Sequence, residues 1–153
     1  MLRNVIAGSK TTEIYKIASD MNRGAIVTKN LTTKVADKAS GTAVETYLVD
    51  YDSQPTGHLS DVDISGYDPT MDVVKANTFA LLIKPAVGTQ WASDQVVATG
   101  LVAGDYLASG TTADAGKLVK ATTGQVSIYK YVGEYKDGNK TLYQFEVVYP
   151  KTV

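Results

Sequence analysis

Five residues in the middle of the chain stand at the spacing of a calcium-binding loop. Asp61, Asp63, Ser65, Gly66 and Asp72 match the alternating oxygen ligands, the glycine turn and the closing acidic residue of that loop. Oxygen atoms alternating around a sharp turn can enclose a hard cation. However, the closing residue is an aspartate instead of the longer glutamate, and nearby prolines disfavour the usual flanking helices. The pattern therefore favours a solvated turn without metal, and calcium binding is the alternative.

The other residues that are able to do chemistry lack partners at a recognisable spacing. His58 is the only histidine and the chain has no cysteine, so a zinc site would lack further nitrogen or sulfur ligands. Serines stand near His58, yet no nucleophile elbow accompanies them. The glutamates available for glycoside hydrolysis include Glu13, Glu45, Glu134 and Glu146. Since no motif distinguishes any of them, we predict that the protein is not an enzyme and uses no cofactor.

The composition indicates a globular chain without an electrostatic preference. Of its 153 residues, 44% are hydrophobic and 20% are charged, which is typical of a folded domain. Fifteen basic and sixteen acidic residues leave a net charge of −1, so neither nucleic acid nor a membrane is a predicted partner. No secretory leader and no apolar run of about 20 residues is evident, which predicts synthesis in the cytoplasm.

The elements that must position these residues are predicted to be β-strands. The clearest signal lies near the C-terminal end, where residues 125–132 and 141–149 are β-rich and flank an Asp137-Gly138 pair. Such runs on either side of an Asp-Gly pair predict a hairpin. In the second run, alternate residues are predicted to face one side of the sheet. These are Tyr143, Phe145, Val147 and Tyr149.

Shorter strands are predicted along the rest of the chain, separated by turn signals. They cover residues 25–28, 44–51, 73–83, 91–97, 101–107 and 116–120, with a strand pair broken at Asn77 and a loop over residues 36–42. The predicted fold class is therefore mostly β. We expect a small β-sandwich or barrel-like domain of short antiparallel strands with long loops.

Residues 1–23 are the least patterned segment. Ile14, Ile17 and Met21 fall at helical spacing, which predicts a short helix over residues 13–21, and a strand led by Ile14 and Tyr15 is the alternative. We interpret residues 1–23 as an N-terminal arm that contacts a neighbouring molecule. Residues 24–153 then form a single β-rich domain.

A series of short segments in a fixed order, from residue 23 to residue 149, resembles a known family. The segments are Arg23-Gly24-Ala25-Ile26-Val27, Tyr47-Leu48-Val49-Asp50, Pro55-Thr56-Gly57, Gly88 with Trp91-Ala92-Ser93-Asp94-Gln95, Gly104-Asp105-Tyr106-Leu107, Gly116-Lys117-Leu118-Val119, Val132-Gly133-Glu134-Tyr135 and Glu146-Val147-Val148. In this order they are similar to the small capsid decoration proteins, also called cement or head-fibre proteins, of tailed bacteriophages.

This resemblance implies a structural virion protein that binds the outer surface of a phage head and stabilises the capsid without catalysis. The implied partners are the major capsid protein and further copies of the chain, as a homotrimer. Ten tyrosines against two phenylalanines and one tryptophan agree with a contact surface on β-strands. Contacts are predicted at Ile14, Tyr15, Ile17, Met21, Tyr47 and Tyr51. The alternative is a glycan- or receptor-binding β module on a virion or cell surface, with an aromatic platform of Trp91 or clustered tyrosines.

Overall fold

The computed structural model describes residues 1–51 and 72–153, which contain thirteen strands and one 3₁₀ turn, Thr112–Asp114. In chain order the strands are β1 (Leu2–Ile6), β2 (Lys10–Ile17), β3 (Met21–Asn22), β4 (Ile26–Asn30), β5 (Val35–Lys38), β6 (Tyr47–Tyr51), β7 (Val73–Val74), β8 (Phe79–Pro85), β9 (Gln90–Ser93), β10 (Tyr106–Ser109), β11 (Leu118–Lys120), β12 (Val126–Asp137) and β13 (Lys140–Thr152). The predicted mostly β fold class is confirmed.

Five strands close into a small barrel in the order β2, β5, β4, β6 and β8, with β8 pairing back to β2. Neighbouring strands are antiparallel except β2 and β5, which run parallel. Alternate residues of β2 point in and out, so that Tyr15 and Ile17 are buried and Ile14 is exposed. Ile17, Val49 and Leu82 are among the residues that fill the interior, which is therefore a packed core.

The second layer is an antiparallel sheet of six strands in the order β1, β9, β13, β12, β10 and β11. Its longest pair, β12 and β13, is the hairpin predicted around Asp137 and Gly138. Gly138 has a φ of 58°, which the tight turn requires. The short strands β3 and β7 form a separate two-stranded sheet, and their residues Met21 and Val74 pack in the barrel core.

The largest apolar core lies between the barrel and the sheet. The barrel contributes Ile26, Leu48 and Ile83, and the sheet contributes Tyr129 and Phe145 among others. The rings of these two residues meet edge to face, with centroids 5.4 Å apart. Because the covered barrel strands bury side chains on both of their faces, the two layers form one folded unit.

The β12–β13 hairpin bends where its ladder is irregular, after Tyr131. Beyond this bend, Leu142 packs with Ala92 of β9 in a small third apolar cluster. The carboxylate of Asp137 accepts a hydrogen bond of 2.7 Å from the Arg3 guanidinium of β1. The irregularity therefore lets the end of the hairpin turn toward the β1 edge of the sheet.

The predicted helix over residues 13–21 is wrong. The segment lies largely in β2, where Lys10 to Lys16 pair one by one with β8, and pairing over this length outweighs a weak helical spacing. The predicted division at residue 23 also has no counterpart in the strand pairing. Residues 1–23 supply β1 to the sheet and β2 to the barrel, and Leu2 and Ile17 are buried. This segment is therefore part of the folded body of the chain.

Two further predictions are wrong in detail. The loop predicted over residues 36–42 begins later, because β5 extends to Lys38 and pairs with β4. The segment around Asn77 does form two strands, β7 and β8, but they do not pair with each other. Instead β7 pairs with β3, and β8 pairs with β2 and β6. Such long-range pairing carries no local signal in the sequence.

Candidate functional site

Five of the six predicted contact residues lie in or against the barrel core. Tyr15, Ile17, Met21 and Tyr47 are buried, and Tyr51 packs against the same cluster. The structure brings these residues together because they occupy inward-facing positions. These four side chains are buried within the single chain, and their contact with a shell or a second copy stays a prediction. Ile14 differs from them, because its side chain is 57% exposed.

Ile14 belongs to an apolar strip on the outside of the barrel. In the β2–β8 ladder Ile14 lies directly opposite Leu81, and Phe79 lies two residues along β8 on the same side. Phe79 is 61% exposed, whereas Leu81 is half-buried against the core between the layers. We call Ile14, Leu81 and Phe79 the β2–β8 strip. This strip extends the interlayer core outward to the molecular surface.

Charged residues border the β2–β8 strip on both sides. Lys16 pairs with Phe79 in the ladder, and Asp50 of β6 pairs with Leu81. The Asp50 carboxylate is held at 2.6 Å by Arg23. An apolar centre with a polar rim is the usual composition of a protein contact surface.

A group of polar side chains surrounds Lys29 on the barrel. The ammonium group of Lys29 lies 2.7 Å from the Glu13 carboxylate and 4.6 Å from the centroid of the Tyr47 ring. The Tyr47 hydroxyl donates a hydrogen bond of 2.8 Å to Glu45, and Lys84 lies 3.4 Å from the same carboxylate. Lys29, Tyr47 and Glu45 border an open depression of about 230 Å³.

The electrostatics of this group suit a fixed ion-pair network. The hydrogen bond from Tyr47, followed by that from Lys84, lowers the pKa of Glu45, and the hydrogen bond to Glu13 raises the pKa of Lys29. Glu45 and Lys29 therefore stay charged near neutral pH. Glycoside hydrolysis needs one carboxyl group that is protonated as the general acid, and Glu45 is not held in that state.

Asp72, the closing residue of the predicted calcium loop, is buried and already engaged by cations. Its carboxylate lies 3.6 Å from the Arg23 guanidinium and 3.8 Å from the amino group of Met1. Burial, followed by the charge of Asp72, raises the pKa of Tyr51. The other predicted ligands, Asp61, Asp63 and Ser65, lie outside the described residues, as does His58. Calcium binding by this loop stays a prediction.

Trp91 does not form the exposed platform predicted for glycan binding. Its side chain is buried in the interlayer core, with 3% of the residue surface exposed. The indole N–H donates a hydrogen bond of 3.2 Å to the hydroxyl of Thr89. Among the described residues, an aromatic platform would therefore use exposed aromatic side chains such as Phe79 or Tyr149.

Tyr149 lies on the surface, contrary to the predicted alternation of β13. Phe145 and Val147 are buried as expected, but Tyr149 is 78% exposed. Tyr149 lies within the irregular part of the ladder between β12 and β13, between Val147 and Lys151, where the regular alternation of a strand does not apply. Pro150 was the signal in the sequence, because a proline inside a strand marks an edge or a bulge.

Comparison with known protein families, with curated proteins and with solved structures finds no match to this chain. Within residues 1–51 and 72–153, no helix is long and apolar enough to span a bilayer. In the same ranges, no three or more acidic or histidine side chains converge on a position that could hold a metal ion.

Proposed function

We propose that this chain is a structural virion protein that binds the outer surface of a phage head and stabilises the capsid. The family resemblance of residues 23–149 supports this proposal. The structural observation that supports it most is the β2–β8 strip. There, Ile14 and Phe79 are both more than half exposed on neighbouring strands of a closed barrel. The partners are the major capsid protein and further copies of the chain.

The strip has the energetics of a contact site. Burying the side chain of an isoleucine or a phenylalanine contributes about 1.5–3 kcal/mol each when the burial is complete. In the free chain the side chains of Ile14 and Phe79 are largely exposed, so most of this free energy is gained only when a partner covers them. The closed barrel holds their backbones in place, so little conformational entropy is lost when a partner covers them. Lys16 and Asp50 at the border fix the orientation of the partner.

Co-sedimentation with undecorated, expanded heads tests the proposal. We expect saturable binding by the natural chain and loss of binding by the Ile14→Lys/Phe79→Lys double variant, because each lysine places a charge in the apolar contact. Val102→Lys is the matched control, since Val102 is an exposed apolar residue of similar exposure, 66%, outside the strip. The proposal is overturned if the natural chain does not pellet with the heads.

Light scattering on the same samples separates the two kinds of partner. If the strip joins copies of the chain, the natural protein has a trimeric mass and the double variant has a lower mass. If the strip faces the shell, the mass is unchanged and only binding to heads is lost. If the double variant binds heads as well as the natural chain does, the strip is not part of the contact with the head.

A further inference from the structure

A second exposed surface lies on the six-stranded sheet, at a wide bulge in β13. Ser127 pairs with Lys151 and Tyr129 pairs with Val147, so one residue of β12 lies opposite three residues of β13. Tyr149 is the middle one of these three. Its exposed fraction of 78% is the largest among the exposed large apolar side chains of the described residues. Bulges redirect side chains and occur often beside binding sites.

Two lysines stand close to this bulge around one aromatic ring. The ammonium group of Lys151 lies 4.8 Å from the centroid of the Tyr106 ring, and that of Lys130 lies 5.9 Å from it. Glu146 is the cross-strand neighbour of Lys130. Across the part of the chain that the structure describes, however, neither Lys130 nor Lys151 has a carboxylate within 4.0 Å.

The neighbouring lysine on this sheet shows the contrast. Lys120 lies 2.8 Å from the carboxylate of Asp105, and this contact lowers the pKa of Asp105. The charge of Lys120 is therefore balanced within the chain. The ammonium groups of Lys130 and Lys151 approach the ring of Tyr106, which attracts them without neutralising them, and Glu146 opposite Lys130 lies beyond ion-pair distance.

We infer that Tyr149, Lys130 and Lys151, the Tyr149 surface, bind an acidic protein surface. This inference rests on the proposed function, in which that acidic surface belongs to the phage head. Unbalanced cations favour an acidic partner. An exposed tyrosine supplies the large, rigid contact area that is common at the centre of protein interfaces. Two lysines on a chain of net charge −1 are too few for a nucleic-acid site.

The Tyr149 surface and the β2–β8 strip belong to different layers of the molecule. The strip is on the barrel and the Tyr149 surface is on the sheet. Because the layers share one core, the two surfaces are held at a fixed separation. A chain that uses both surfaces connects two places on the head, and the second contact forms at a high effective concentration. This arrangement gives a physical means of reinforcing a shell.

Binding to expanded heads, measured by co-sedimentation at two ionic strengths, tests the inference. The variants are Lys130→Glu/Lys151→Glu and Tyr149→Ala, and the control is Lys136→Glu, a lysine 67% exposed at the far end of the hairpin. We expect each of the first two to weaken binding by about tenfold or more. Salt should weaken binding of the natural chain, whereas binding of the glutamate variant should be unchanged or strengthened by salt, because screening then reduces a repulsion. The control should bind within about twofold of the natural chain.

The outcomes separate this inference from the proposed function. If the natural chain does not bind heads, both are overturned. If it binds and the variants bind like the control, only the inference is overturned. The same variants are also tested for binding to immobilised heparin. If they lose binding to heparin but keep full binding to heads, the inference is overturned in favour of an anionic glycan as the ligand. Circular dichroism checks folding, and Lys130→Gln/Lys151→Gln replaces the glutamate variant if that variant unfolds.

Discussion

The hydrogen bond between Thr46 and Tyr129 is the most direct test of how the two layers are joined. Their hydroxyl oxygens lie 2.9 Å apart, and both residues are buried. Thr46 comes just before β6 of the barrel, and Tyr129 lies in β12 of the sheet. The bond therefore crosses the core that holds the layers together. The perturbation is to remove each hydroxyl alone and then both.

The expected magnitudes follow from the burial of both groups. Tyr129→Phe leaves the Thr46 hydroxyl buried without its partner, and Thr46→Val leaves the Tyr129 hydroxyl in the same position. A buried polar group without a hydrogen-bond partner lowers the free energy of unfolding by about 1–3 kcal/mol. The double variant leaves no unpaired group and is expected to be nearly neutral. Each single variant should therefore lower the free energy of unfolding by about 2 kcal/mol, and the double variant by less than about 1 kcal/mol.

Urea unfolding of the four proteins, followed by Trp91 fluorescence, measures these free energies. Tyr149→Phe is the control, because the exposed Tyr149 hydroxyl bonds to water and its removal should change stability by less than about 0.5 kcal/mol. A double variant whose loss equals the sum of the two single losses would refute the reasoning. That result would mean that the two hydroxyl groups do not depend on each other.

Three further predictions concern stability. Burial raises the pKa of Tyr129 from 10.0 to about 12, so the unfolded chain releases this proton first. The resulting stabilisation is complete below pH 10, and about 3 kcal/mol of it is lost as the pH rises through the folded pKa. Tyr129→Phe should remove this alkaline loss in urea unfolding. Gly24 has a φ of 85° and a neighbouring side chain in the place of a Cβ, so Gly24→Ala should cost more than about 2 kcal/mol. Gly100→Ala, with a similar φ of 74° and open space, should cost only about 1 kcal/mol, and thermal melts compare the two. Ile17→Ala should cost about 2–5 kcal/mol and Ile14→Ala less than about 0.5 kcal/mol, and equal losses would refute the assignment of inner and outer faces of β2.

The parts of the fold that depend on local signals were predictable from the sequence. The β12–β13 hairpin has an Asp137-Gly138 turn between two β-rich runs, and both the turn and the strands are confirmed. The N-terminal segment was not predictable in the same way. Its strand β1 pairs with β9, and Leu2 meets Ser93 far along the chain. Nothing near Leu2 in the sequence indicates that partner, so the segment resembled an arm.

The candidate surfaces were predicted less well, for two physical reasons. First, the helical spacing of Ile14 and Ile17 placed both residues on one face, whereas a strand places them on opposite faces. Ile14 is therefore exposed and Ile17 is buried. Second, Tyr149 lies inside the bulge between Val147 and Lys151, where it has no regular cross-strand partner and is exposed. The pairing that brings Lys151 over Tyr106 is set by tertiary structure and leaves no pattern in the sequence.

The order of the strands has a consequence for synthesis on the ribosome. The last barrel strand, β8, ends at Pro85, while the strands that cover the barrel, β12 and β13, begin at Val126 and Lys140. A nascent chain can therefore close the barrel before the sheet exists. During that interval Ile26 and Leu48 face water, although they are fully buried in the finished protein. We therefore expect a nascent chain with a closed barrel and no sheet to be prone to aggregation until β13 emerges and the long-range sheet pairing is completed.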